Sequence, residues 1–246
     1  MSDQLQREAA MMDLSKLIAA REDIPDVALT IPQAELLARY ERLYTGLVSD
    51  VLREFVLLDQ ALPHRIIPLR PERTVAGFAF TVKSAPNVRI SGEMDVRTKM
   101  LTELTPDAFL LWDPSGDEQA TLWGGVMTAT AVGLGVRAAC VDGGIRDTGQ
   151  ILEKDFPVFY RYRSPNGSLG RCQITHYQIP IKIGDVVIKP GDLVLGDLDG
   201  VIVVPRSIAE AVLARAEELH RSEQKIFEWV ENGDSVDAIT KRGGYF

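Results

Sequence analysis

The stretch from Asp107 to Asp147 constrains the fold more than any other part of the chain. DAFLLWD, residues 107–113, is a short apolar run, and Val136 to Val141 forms a second. Runs of this length without polar alternation suit strands that are covered on both faces. Between them lies WGGVMTATAVGLG, residues 123–135, which has the length of a helix and small residues on most of its faces. Strand, helix, strand predicts an α/β unit.

The flanking segments extend this pattern. Residues 3–20 carry apolar positions at helical spacing, EDIPDVALTIPQ interrupts them, and Thr30, Pro32 and Gln33 signal a new helix start before AELLARYERL. VAGFAFTVKS alternates like a strand, and Ser49-Asp50 in GLVSDVLRE suits the start of a helix. After Pro157 come the short β-like segments ITHYQIPIKI, VVI, LVLGD and VIVVP, separated by Gly-Asp and Pro-Gly-Asp turns. They predict a compact β layer or partial barrel. Ser207 to Glu210 has capping-box spacing, and an amphipathic helix follows to about Asn232, where Gly233 offers a stop. With no linker in sight, the expected organisation is a helical extension over residues 1–40 and one α/β domain over 41–246.

Composition narrows the functional classes. The chain has 246 residues, of which 46% are hydrophobic and 25% charged, enough to bury a sizeable core. Its net charge of -8 argues against nucleic acid or an anionic membrane as partner, since both draw their affinity from clustered Lys and Arg. No apolar stretch approaches the ~18 residues of a membrane helix, and the N-terminus lacks a signal-peptide core. Cys140 and Cys172 are too far apart for a CxxC pair, so a cytoplasmic setting is expected. His64, His176 and His220 show no metal-ligand spacing.

VDGGIRDTGQ, residues 141–150, sets Asp142, Arg146 and Asp147 at the carboxyl end of the second apolar run, where ligands gather in α/β proteins. Two readings stand: a surface ion pair in a turn, or a site. WGGVMTATA adds a predicted helix N-terminus, whose free amides can hold a carboxylate or phosphate. Close helix packing explains its small residues equally well. Lys83 follows a strand and is either an exposed lysine or a contact for an anionic substrate.

Together LWGGVMTATAVGLGVRAACVDGGIRD, FPVFYR, PGDLVLGDLDGVIVVP and GFAFTV resemble the 4-hydroxy-4-methyl-2-oxoglutarate aldolase family, which includes the regulator of ribonuclease E activity and proteins once labelled dimethylmenaquinone methyltransferases. The resemblance covers roughly residues 40–230. It implies an α/β/β/α fold of swivelling-domain type, assembled as homotrimers or homohexamers with sites between subunits. It also implies a magnesium- or manganese-dependent lyase acting on a small 2-oxo acid. By the same resemblance Asp147 holds the metal, Arg146 meets the keto oxygen, and the amides of Gly125, Val126 and Met127 receive a carboxylate. Glu223 is the nearest candidate for a carboxylate supplied across subunits, a solvated helix face being the other reading.

Two positions depart from the family pattern. An acidic residue about twenty positions before the Arg-Asp pair is replaced by Gly125, and an acid three residues after the metal Asp is replaced by Gln150. Asp142, Glu118 and Asp117 are the acids at hand to compensate. The expected reaction is cleavage of a 4-hydroxy-2-oxo acid or decarboxylation of a 2-oxo diacid such as oxaloacetate, both through a pyruvate enolate. The alternative is a non-catalytic trimer that regulates a ribonuclease by protein contacts.

Overall fold

The computed structural model describes residues 13–22 and 27–245, so much of the helix expected over 3–20 lies outside the described residues. Helices α1 (Ser15–Glu22), α2 (Gln33–Tyr40) and α3 (Thr45–Glu54) come first. Ser49 and Asp50 fall in the middle of α3 rather than at its start. Strands β1 (Ile67–Pro68) and β2 (Val75–Pro86) lead to α4 (Glu93–Thr102), then β3 (Ala108–Asp113) and β4 (Thr121–Trp123). Helix α5 (Gly125–Gly133), β5 (Ala138–Ile145), α6 (Thr148–Glu153) and β6 (Val158–Arg163) follow. The β-rich part supplies β7 (Cys172–Tyr177), β8 (Ile181–Ile183), β9 (Val186–Ile188), β10 (Leu193–Asp197) and β11 (Gly200–Val204). Helices α7 (Ala209–Glu231) and α8 (Val236–Lys241) end the chain.

The main sheet runs in the order β1-β6-β5-β3-β2-β10-β11. Strands β2, β3, β5 and β6 are parallel neighbours; β10 pairs antiparallel with β2, and β11 antiparallel with β10. Both faces of the parallel strands are apolar. Phe80, Val82, Leu110, Trp112, Ala139 and Val141 belong to one buried cluster, while Ala79, Phe109, Leu111, Ala138 and Cys140 alternate into another. That double burial is why DAFLLWD reads as an unbroken apolar run.

The sheet is nearly closed. At one edge the Leu62 N–H donates to Val201 O (2.8 Å) and the Val203 N–H to Gln60 O (3.0 Å); a few residues later Ile67 and Pro68 pair with Tyr160 and Phe159 at the opposite edge. Residues 60–68 thus tie the two edges together around an interior into which the β8–β9 hairpin also packs. The expected partial barrel is present, in a mixed α/β architecture of α/β/β/α, swivelling-domain type. Helices α4, α5 and α6 cover one outer face through Met100, Met127, Ala131 and Ile151; α2, α3 and α7 cover another over β10 and β11.

At eight residues α2 is too short to hold itself. Leu36, Leu37 and Tyr40 are fully buried, and the Tyr40 hydroxyl donates to Ala209 O (2.7 Å). Each buried leucine contributes roughly 1.5–3 kcal/mol, so tertiary packing makes this helix. The expected capping box at Ser207 does not form. Residues Arg206–Ile208 make a short 3-10 turn, α7 begins at Ala209, and no side chain caps it. The Glu210 carboxylate instead accepts from the Thr30 and Ile31 N–H groups and the Thr30 hydroxyl, and these hydrogen bonds hold it below its usual range. The spacing was right for a cap, but its acid secures the approach to α2.

Candidate active site

Strand β5 runs farther than its apolar run, through Asp142, Gly143 and Gly144 to Ile145, all buried. Arg146 follows, its N–H donating to Trp123 O (3.0 Å) at the end of β4. Asp147 then adopts the left-handed conformation (φ 54°), which costs a residue with a side chain about 1–2 kcal/mol and which Asp tolerates better than most. That turn brings its carboxylate back onto the glycine pair: the Gly125 N–H donates to Asp147 Oδ2 at 3.2 Å. A Cβ on Gly124 would stand 2.8 Å from the same oxygen, so the close approach requires glycine there. The helix start is fixed from the other side by Trp123, whose indole N–H donates to Thr128 Oγ1 (2.8 Å).

These residues open on a cavity of about 320 Å³ whose lining includes Gly124, Val126, Met127, Arg146 and Asp147 together with Glu93, Arg97 and Ser168. Arg146 is half-exposed, its Nε 3.7 Å from Asp147 Oδ2, a pair worth ~0–1 kcal/mol. Gly125 N–H already faces Asp147, which leaves the first-turn amides of Val126 and Met127 as the free donors of α5.

Glu93 and Arg97 form the part of the cavity that the sequence reading missed. Glu93 opens α4 with its side chain 1% exposed. Its Oε1 accepts from Arg97 Nε (3.1 Å), and Arg97 in turn donates to Ser168 Oγ (2.8 Å) and lies over the Trp112 ring at 5.6 Å. Oε2 of Glu93 is buried and has no partner. An unpaired buried polar atom costs about 1–3 kcal/mol, a cost that binding groups commonly carry. The sequence signal was only an acid and an arginine four residues apart, the spacing of any solvated helix pair.

The other candidate acids are elsewhere. Asp142 points to the opposite face of the sheet, where Arg65 Nη2 (2.9 Å) and Arg161 Nε (3.6 Å) hold it. Glu118 pairs with the same Arg161 at 2.7 Å, and Asp117 accepts from the N–H groups of Gln119 and Ala120 in a turn. None of the three lines the cavity. Lys83 donates to Asp113 (2.6 Å) and does not line the cavity. Gln150 explains the glycine beside it: a Cβ on Gly125 would lie 2.0 Å from Gln150 Oε1, so the amide side chain fills the space an acid at 125 would need. Glu223 sits on α7, where the hydroxyls of Tyr44 and Tyr245 donate to it, away from this chain's own cavity. Cys140 and Cys172 are buried and unpaired; burial pushes the Cys172 thiol up to about 11 and Cys140 higher, which suits neither to nucleophilic work. His64 and His176 are exposed, and His220 stacks edge-on to Tyr44. Among the described residues no helix is long and apolar enough to cross a membrane.

Known proteins resemble this chain along most of its length. A protein of Halalkalibacterium halodurans named "Putative 4-hydroxy-4-methyl-2-oxoglutarate aldolase" is 32% identical over 75% of this chain and 84% of its own. A crystal structure described as of novel cellulases from microbes associated with the gut ecosystem superposes with a TM-score of 0.87 at 65% identity, covering 89% of this chain and 99% of that one. Streptomyces coelicolor RraAS2, described as an unusual member of the RNase ES inhibitor RraA protein family, superposes at 0.71 with 25% identity over 80% of this chain and 98% of its own. Residues 45–203, more than half the chain, match the RraA-like profile described as Aldolase/RraA, and the protein belongs to that family.

Proposed function

We propose that this protein is a divalent-metal-dependent carbon-carbon lyase acting on a small 2-oxo acid, either by retro-aldol cleavage of a 4-hydroxy-2-oxo acid or by decarboxylation of a 2-oxo diacid such as oxaloacetate. The observation that carries the reading is the convergence of Arg146, Asp147 and the α5 amides on one small cavity. A cavity of about 320 Å³ suits an acid of a few carbons, whereas a cellulose chain needs a cleft several sugars long.

The substrate carboxylate meets the first-turn amides of Val126 and Met127, where the positive end of the helix dipole favours an anion. Arg146 presents a permanently charged fork to the keto oxygen and stabilises the enolate charge as the bond breaks. Among the described residues no three His, Cys, Asp or Glu side chains gather to hold a metal. Asp147 is part-exposed with one oxygen engaged by Gly125, and a lone carboxylate fits a cation that keeps most of its water, as magnesium does. Bound to Asp147, magnesium or manganese would supply Lewis acidity toward the keto oxygen.

Exposed Met94, Val126 and Leu169 on the cavity lining, with Ile90 beside them, support assembly into a homotrimer or homohexamer in which a neighbour covers the mouth. The second reading, a ribonuclease regulator working through protein contacts, draws on the glycine at 125 and on the Streptomyces neighbour. Pyruvate release from oxaloacetate and from 4-hydroxy-4-methyl-2-oxoglutarate, with magnesium and with chelator, separates the two: metal-dependent release is expected, and no release from either substrate refutes the lyase.

A further inference from the structure

We propose that Glu93 is the proton acceptor for the C4 hydroxyl of a hydroxylated substrate, taking the place of the family acids that Gly125 and Gln150 replace. The inference rests on the lyase reading and assigns its missing base.

Three observations carry it. Glu93 lines the same cavity as Arg146 and Asp147. Its side chain is 1% exposed, and Oε2 has no partner in the protein. Its orientation is over-determined, because Arg97 donates to Oε1 while being held itself by Ser168 Oγ and the face of Trp112. One carboxylate oxygen is therefore fixed and the other is left to accept. A structural ion pair needs only the first; an unsatisfied second oxygen on a residue that lines the cavity calls for a donor that the protein does not supply. The other acids near in sequence are occupied: Asp142 by two arginines, Glu118 by Arg161, and Asp117 by turn amides.

In the retro-aldol step the C4 hydroxyl gives its proton to Glu93 Oε2 and the C4 oxygen becomes a carbonyl. The C3–C4 bond breaks, and its electron pair passes through C2–C3 to the keto oxygen, the enolate charge that Arg146 faces. Returning the proton to C3 yields pyruvate and restores the carboxylate. Decarboxylation of oxaloacetate has no hydroxyl proton to remove, so it does not need Glu93 as base.

The two reactions test the assignment in the full-length protein with magnesium. In Glu93→Gln the amide oxygen can still accept from Arg97, but the other position becomes a donor. General-base loss should lower pyruvate release from 4-hydroxy-4-methyl-2-oxoglutarate by about 10²–10³-fold more than it lowers oxaloacetate turnover, so the ratio of the two rates is the readout. Glu93→Asp keeps the carboxylate on a shorter arm and should give an intermediate ratio of the retro-aldol rate to the decarboxylation rate; it carries the test if the glutamine variant does not fold. Equal losses in both reactions would make Glu93 a structural or general binding residue and overturn the proposal, as would no loss in either. A wild-type protein that releases pyruvate from neither substrate removes the lyase reading itself, and the base falls with it; decarboxylation without retro-aldol cleavage in the wild type overturns the base alone.

Discussion

Replacing Arg146 by lysine separates catalysis from stability, because the structure assigns the two effects different sizes. The Arg146 guanidinium is half-exposed and 3.7 Å from Asp147, so the ion pair contributes at most ~1 kcal/mol. Losing it should lower the melting temperature by no more than about 2–4 °C in a chain of this size. The planar fork has a second neighbour: a Cβ on Gly167 would stand 2.8 Å from Nη1, so the guanidinium lies close against that loop's backbone. A lysine ammonium keeps the charge but cannot reproduce the plane or the paired donors. If Arg146 faces the enolate oxygen, the change removes an oxyanion-stabilising donor and should cost about 10²–10³ in turnover, or about 2.7–4 kcal/mol. The assay is oxaloacetate turnover at saturating magnesium, read beside thermal melts of both proteins. Equal rates with equal melts would refute the catalytic assignment.

Asp147→Asn should weaken magnesium binding and turnover together, with excess magnesium restoring part of the rate; a calorimetric metal titration identical to wild type would remove Asp147 from the site. Gly125→Ala should be destabilising alone because it displaces Gln150, and neutral or stabilising in a Gln150→Ala background; the coupling, on the order of 0.5–1.5 kcal/mol, is read from a double-mutant cycle in urea, and strict additivity would show that Gln150 does not fill that space. Light scattering should give a trimer or hexamer, and Glu223→Ala should slow turnover without dissociating it if α7 reaches a neighbour; a monodisperse active monomer contradicts shared sites.

The apolar strands were legible because burial on both faces leaves no polar alternation to confuse, as in Phe109 to Trp112. The end of β5 was not, since the apolar run stops at Val141 and an acid and two glycines follow it. In the structure the two glycines are strand residues made small by what crosses them: a Cβ on Gly144 would meet the Tyr162 ring at 2.4 Å. Near-closure of the sheet depends on residues 60–68 touching two edges far away in sequence, which local pattern does not encode. In the cavity, Arg146, Asp147 and the glycine pair stood out because charge at a strand end and glycines at a helix start are local signals. Glu93 did not, because its setting depends on Arg97, which Ser168 and Trp112 hold from distant parts of the chain. Asp142 shows the converse: close in sequence to the pair, it is held by Arg65 and Arg161 and does not line the cavity.

The most direct test of the central claim is a crystal structure with magnesium and pyruvate bound. The pyruvate keto oxygen is expected within hydrogen-bonding distance of the Arg146 guanidinium, its carboxylate on the amides of Val126 and Met127, and the metal on Asp147 through oxygen. Pyruvate and metal bound at another cavity, with Arg146 and Asp147 touching neither, would contradict it.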